Sequence, residues 1–143
     1  MHTVALASDG SVWTWGCNDD DTLGRPGAEN EPLKVSDSEM GKITDITAGD
    51  SHTIAYNANT NSIYFWGLYK SEESGKLLCK KVAEPTQICK EIFKGPNGKM
   101  KIKKIASGSQ HSLALTECGK VFGWGDDTSG KIGRTYSRKH TVR

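Results

Sequence analysis

The chain has 143 residues, enough for one ordinary domain, with 35% hydrophobic residues, 16 glycines and a formal charge of +2. That balance is poor in core formers and rich in turn formers, which suits short strands joined by many turns. So small a net charge excludes a whole-molecule field built for nucleic acid. No apolar stretch reaches signal-peptide or membrane-spanning length, so no membrane partner is expected.

The first predicted element is the alternating run His2-Thr3-Val4-Ala5-Leu6. Asp9-Gly10 supplies a tight turn, and Ser11-Val12-Trp13-Thr14-Trp15 returns as a second strand ending in Gly16. A strand-like run directly after Met1 suggests a chain start chosen inside a larger gene. Acids dominate residues 19–39, and Leu23-Gly24-Arg25-Pro26-Gly27 reads as a turn, not a nucleotide cradle. Residues 31–35 form a candidate outer strand, because Pro32 is tolerated at a strand start or edge.

Residues 43–49 read as another strand ending in Ala48-Gly49, small residues that let the chain pass close to a neighbouring backbone. A second hairpin follows: His52-Thr53-Ile54-Ala55-Tyr56, an Asn-rich turn, then Ser62-Ile63-Tyr64-Phe65-Trp66-Gly67. Residues 68–78 follow as a polar stretch, and residues 84–88 are a second candidate outer strand. Lysines dominate residues 76–104; such a run usually marks a solvated surface, and less often a basic flank for an acidic partner. Gly95-Pro96-Asn97-Gly98 breaks any helical pattern there, and no helix is predicted.

Residues 102–108 match residues 43–49 position for position. The third hairpin is His111-Ser112-Leu113-Ala114-Leu115, a turn at Cys118-Gly119, then a return to Trp124-Gly125. Trp15, Trp66 and Trp124 lie 51 and 58 residues apart, a period that points to propellers or solenoids. Four short antiparallel strands per unit make a propeller blade. The expected fold is therefore all-β, a partial β-propeller of about three blades of four-stranded antiparallel sheets. Approximate repeat units are 1–34, 35–93 and 94–143, the first and last incomplete.

Several chemistries lack their residues. Cys17, Cys79, Cys89 and Cys118 show no CxxC spacing, and the histidines complete no zinc pattern, so free thiols in a reducing compartment are expected. No phosphate loop, nucleophile elbow or hydrolase constellation is present, so no cofactor, metal or catalytic residue is assigned. His2, His52 and His111 recur once per unit, which marks them as structural ties from a hairpin to a neighbouring backbone group. Trp15, Trp66 and Trp124 are read as core in the same way, and Gly16, Gly67 and Gly125 close each hairpin.

The pattern Gly-x-x-His-[Ser/Thr]-x-Ala, then Trp-Gly, then Leu23-Gly24-Arg25 or Ile132-Gly133-Arg134, resembles the regulator-of-chromosome-condensation repeat over nearly the whole chain. The resemblance implies a seven-repeat propeller of which about the second to fourth repeats are present. That family includes an exchange factor for the small GTPase Ran, ubiquitin ligases and a plant ultraviolet receptor. Residues 48–53 resemble the loop that carries the exchange factor's main functional carboxylate, which would make Asp50, with Ser51, a partner contact. Residues 68–78 are an insertion standing where that protein has a β-wedge, so Tyr69, Lys70, Ser71, Glu72, Glu73, Ser74 and Gly75 are candidate contacts too. One repeat later the family has a second functional aspartate where this chain has Gln110, which hydrogen-bonds without charge.

Against these roles stand plainer ones: a loop aspartate commonly caps neighbouring backbone N–H groups, and an inserted hairpin can be a solvent-exposed loop. The resemblance implies a Ran-type small GTPase as partner, chromatin or histones through parts of a parent outside this chain, and a nuclear location, with a cytoplasmic binding scaffold as the alternative. Uncovered blade faces should also make the fragment self-associate.

Overall fold

A computed structural model describes residues 1–73, 76–93 and 100–133. Ser74 and Gly75 of the candidate wedge, the 95–98 breaker and Arg134 of the last closing turn lie outside the described residues, as do the side chains of Glu72 and Glu73.

Ten strands form three antiparallel sheets. The first holds β1 (His2–Leu6), β2 (Val12–Gly16) and β3 (Leu33–Lys34). The second holds β4 (Asp45–Ala48), β5 (His52–Asn57), β6 (Ser62–Glu73) and β7 (Lys76–Ile88). The third holds β8 (Ile102–Ser107), β9 (His111–Thr116) and β10 (Val121–Gly125). Only the middle sheet has the four strands expected of each unit; the other two have three among the described residues. Among the described residues one short α-helix, α1 (Lys90–Phe93), departs from the expectation of no helix; it is a single turn that fits ahead of the glycines and buries Phe93.

The three hairpins share one register. His faces Gly across the ladder (His2 and Gly16, His52 and Gly67, His111 and Gly125), and the next Thr or Ser faces the Trp. Those three glycines have φ of 107°, 100° and 106°, a left-handed region that costs any side chain. A Cβ on Gly67 would also lie 2.3 Å from the Ser51 carbonyl oxygen.

Strand alternation gives each blade two faces. In the middle blade Ile54, Tyr56, Ile63 and Phe65 form one face, and they pack with Ile102, Ile105, Ala114 and Trp124 of the third. Its other face, with Ala55, Tyr64 and Trp66, packs with Val12 and Val35 of the first. We call these the leading and trailing faces. The cores therefore lie between blades. All six residues of β5 are buried, whereas β9 alternates, with only its trailing residues Ser112, Ala114 and Thr116 buried.

Side chains repeat across the joints as well. His2 Nε2 lies 2.8 Å from Thr53 Oγ1, and His52 Nε2 lies 3.0 Å from Ser112 Oγ. Both histidines thus bond the hydroxyl that follows the next blade's histidine, and His2 also meets the Asp50 backbone, the kind of partner the sequence suggests. The closing turn after β2 seals the first joint. Leu23 is fully buried, and a Cβ on Gly24 would lie 2.7 Å from the Trp66 ring. Arg25 is buried and donates to the carbonyls of Thr14, Pro26, Ala28 and Glu31.

Candidate functional site

In every blade, the residue after Trp-Gly donates its N–H to the carbonyl of the residue before the histidine. The pairs are Cys17 to Met1 at 3.1 Å, Leu68 to Ser51 at 2.7 Å and Asp126 to Gln110 at 3.0 Å. In the first and third blades the chain then makes a compact turn. Asn18 Oδ1 accepts from Leu23 N–H, and Asp127 Oδ1 accepts from Ile132 N–H, five residues on in both. In the middle blade the strand does not turn. β6 runs on to Glu73 and pairs with β7 down to Glu73 opposite Lys76, so the insertion is a two-stranded ribbon rooted on the Asp50 loop.

The root of the ribbon is anchored. The Tyr69 ring meets Phe65 edge-on at 5.8 Å, and Phe65 stacks on His52 at 5.9 Å. Ser71 is buried. On the β7 side, Lys81 Nζ donates to the Asp19 carbonyl at 2.6 Å and lies 3.5 Å from Asp20 Oδ1. Part of the basic run therefore meets the acidic run of the same chain.

The Asp50 loop is held from both sides. Gly49 sits under the His52 ring and beside the Gly108 carbonyl, where a Cβ would be 2.5 Å from that oxygen. This is the close backbone approach expected of residues 48–49. Asp50 N–H donates to the Ser109 carbonyl at 2.8 Å. Other loop aspartates spend their carboxylates on backbone N–H groups: Asp9 on Ser11, Asp37 on Glu39, Asp126 on Thr128 and Asp127 on Ile132. Asp50 is exposed and makes no such cap among the described residues.

The fold thus gathers most of the residues singled out from sequence. Ribbon residues Leu68, Tyr69 and Lys70 share a shallow cleft with Gln110, His111 and Trp124. Ser51 holds the ribbon root, and Asp50 holds the loop that carries Gln110 through Ser109. Glu72 and Glu73 lie farther out along β6. A larger hollow, between the turn at Asp9-Gly10 and residues 34–43, sits at the opposite end of the strands.

His52 is buried, and the neighbouring His2 and His111 rings are half-buried. Burial pushes His52 down to about 4, the neighbouring His2 and His111 rings push the same way, and Asp50 opposes them. Burial and the nearby N-terminal ammonium also lower His2. His2 and His52 hydrogen-bond hydroxyls, and burial disfavours the protonated form of both rings. Asp126 is held far below the usual carboxylate range by Lys131 at 2.8 Å and by Thr128. It braces the third closing turn. Arg25 and Lys81 were not singled out from sequence. Arg25 closes a recurring Leu/Ile-Gly-Arg ending, a signal that marks it as part of the repeat, whereas Lys81 is one lysine in a run of many.

Models of the regulator of chromosome condensation (RCC1) repeat match residues 9–56 and 102–131, together more than half of the chain. The chain is 33% identical over 141 residues to the human regulator of chromosome condensation, covering 94% of this chain and 31% of that protein. It is 29% identical to the guanine nucleotide exchange factor SRM1 of Saccharomyces cerevisiae, covering 100% of this chain and 36% of that one. It is also 31% identical to the human E3 ubiquitin-protein ligase HERC2, of which it covers 3%. Among solved structures, Prp20p of Saccharomyces cerevisiae, studied for its binding to Gsp1p and histones, superposes with a TM-score of 0.75. That pair is 29% identical over 97% of this chain and 33% of the other. The chain spans about a third of the length of its regulator-of-chromosome-condensation relatives. With the hairpin register, the closing turns and these matches in agreement, the chain belongs to the regulator-of-chromosome-condensation repeat family.

Proposed function

We propose that this chain carries part of the GTPase-facing surface of a guanine-nucleotide exchange factor for a Ran-type small GTPase. The observation that carries the proposal is the ribbon rooted on the Asp50–Ser51 loop, at the one blade exit where a compact closing turn is replaced. Asp50 breaks no bond in this reading. Its carboxylate competes with the phosphates for the GTPase groups and Mg²⁺ that hold nucleotide. The ribbon, with Tyr69 and Lys70 at its root and Ser71, Glu72 and Glu73 farther along β6, inserts beside the nucleotide site. Its acids repel phosphate, which suits displacement and not binding. The parent would act in the nucleus, and any chromatin or histone contact would come from parts outside this chain.

The test is release of labelled GDP from a Ran-type GTPase by the full-length parent, with and without Asp50→Ala. The variant is expected to slow release about tenfold or more, some 1.4 kcal/mol of lost stabilisation. A parent that does not accelerate release at all sinks the reading. Gln110 favours a second reading, a propeller that binds protein without exchange, as within a ubiquitin ligase. It places an uncharged amide where the exchange factors carry charge. On that reading a partner binds the cleft of Tyr69, Lys70 and Gln110, and nucleotide release from the GTPase is unchanged.

A further inference from the structure

The ribbon has to be aimed as well as attached, because its two strands leave the middle blade at an irregular point. Phe65 faces Thr86, but Gly67 faces Val82, so residues 83–85 of β7 oppose Trp66 alone. A bulge of this kind bends a strand and sharpens its twist. Beyond it the direction of the ribbon is not inherited from the sheet of the blade.

Two ties fix that direction. On β6, the Tyr69 ring rests edge-on against Phe65. On β7, Lys81 reaches the first blade, where its Nζ donates to the Asp19 carbonyl at 2.6 Å and lies 3.5 Å from Asp20 Oδ1. Among the described residues this is the one hydrogen bond from β7 to another blade. Its place in the register matters. Lys81 faces Leu68 across the ribbon root, and Leu68 N–H donates to the Ser51 carbonyl at 2.7 Å. Lys81 therefore extends a line from the closing turn of the first blade, across both ribbon strands, to the Asp50 loop. The far end of that line is firm. Asp21 N–H donates to the Asn18 carbonyl at 3.1 Å, Leu23 N–H donates to Asn18 Oδ1 at 3.0 Å, and Thr22 and Leu23 are buried.

We propose that Lys81 is a positioning residue for nucleotide displacement: it braces the ribbon root from the first blade and sets the angle at which the ribbon meets the GTPase. The inference rests on the exchange-factor reading above. Lys81 touches no nucleotide in it. Asp50 and the cleft of Tyr69, Lys70 and Gln110 engage the GTPase, and Lys81 governs what the ribbon does once the GTPase is bound. Its loss falls on turnover, not on encounter.

The test is nucleotide release from a Ran-type GTPase by the full-length parent, with the GTPase concentration varied to separate kcat from KM. Lys81→Glu, which Asp20 repels, should lower kcat about fivefold, and Lys81→Ala about threefold, both with KM unchanged. Lys81→Arg keeps the cation and its donors and should retain wild-type kcat. Adding Asp20→Lys to Lys81→Glu restores opposite charges and should recover most of the loss, although Asp20→Lys alone slows release. Hydrogen exchange at residues 68–73 and 78–82 of the same parent, without the GTPase, should quicken in the same order. A wild-type parent with no effect on release sinks the exchange-factor reading, and this role with it. Where wild type is active, a Lys81→Glu variant with wild-type kcat overturns the positioning role alone. So does a rise in KM without a fall in kcat, which would make Lys81 a direct contact. A charge-swapped pair that recovers nothing, or slowed release with unchanged exchange in the ribbon, overturns it too.

Discussion

The middle blade and its two neighbours carry nearly the same hairpin, yet only the middle one is buried on both sides. His52 to Asn57 are all buried, while the corresponding residues of the first and third blades range from buried to exposed. The motif His-[Thr/Ser]-x-Ala therefore does not set its own environment. Each blade supplies a half-joint, and the neighbour completes it.

The largest test of that comparison is truncation of the repeated tryptophan. Trp66→Ala removes a fully buried indole that the Gly24 turn presses against, and should cost about 4 kcal/mol. Trp15→Ala, at the half-buried counterpart, should cost about 1.5 kcal/mol. Urea denaturation of both variants measures the difference. Equal losses would mean that the indole is held within its own blade, and the half-joint picture would fail.

Next in size is the pH dependence carried by the middle histidine. His52 is lowered from 6.5 to about 4 by burial first and by the flanking rings second. The unfolded chain binds its proton at higher pH than the folded one. Stability is therefore complete above pH 6.5 and is lost as pH falls towards 4, by about 3 kcal/mol in all. His52→Gln, which can still donate towards Ser112, should flatten the denaturation midpoint across that window. His2→Gln should change the slope less, because that ring is only half-buried. A wild-type midpoint that does not move between pH 6.5 and 4 would contradict the burial of His52.

Much of this was legible because the repeat speaks several times. The hairpins, the inner strands at residues 43–48 and 102–107 and the outer strands at Pro32 and Pro85 all follow from alternation and turn residues. What was missed depends on two segments at once. The hydroxyl partners of the histidines are one case: the Thr or Ser after each histidine is part of the pattern, but its use is apparent only when two repeats stand side by side. Leu23-Gly24-Arg25 reads as a turn that closes a repeat, but nothing local says that Gly24 faces an indole 42 residues on. The ribbon was placed at residues 69–75, yet its strands run through residues 62–73 and 76–88. Its polar, non-alternating outer half gives no strand signal. The helical turn at Lys90–Phe93 escaped because the glycines after it were read as breaking the whole stretch.

The smallest expected effect separates the ribbon from the blade that bears it. Lys81 joins β7 to the Asp19–Asp20 turn of the first blade, but its side chain is 53% exposed and that of Asp20 34%. An exposed pair of this kind contributes ~0.5 kcal/mol and weakens as salt shortens the screening length. Lys81→Ala should therefore leave the global denaturation midpoint almost unchanged. It should speed hydrogen exchange at the paired amides of residues 68–73 and 78–82, while β4 and β5 keep their protection. Wild-type protein in 1 M salt should approach the variant's exchange pattern. A loss of ~2 kcal/mol or more in global stability would place the ribbon within the cooperative core. It would then be a fourth-strand extension of the blade, not an arm free to engage a partner.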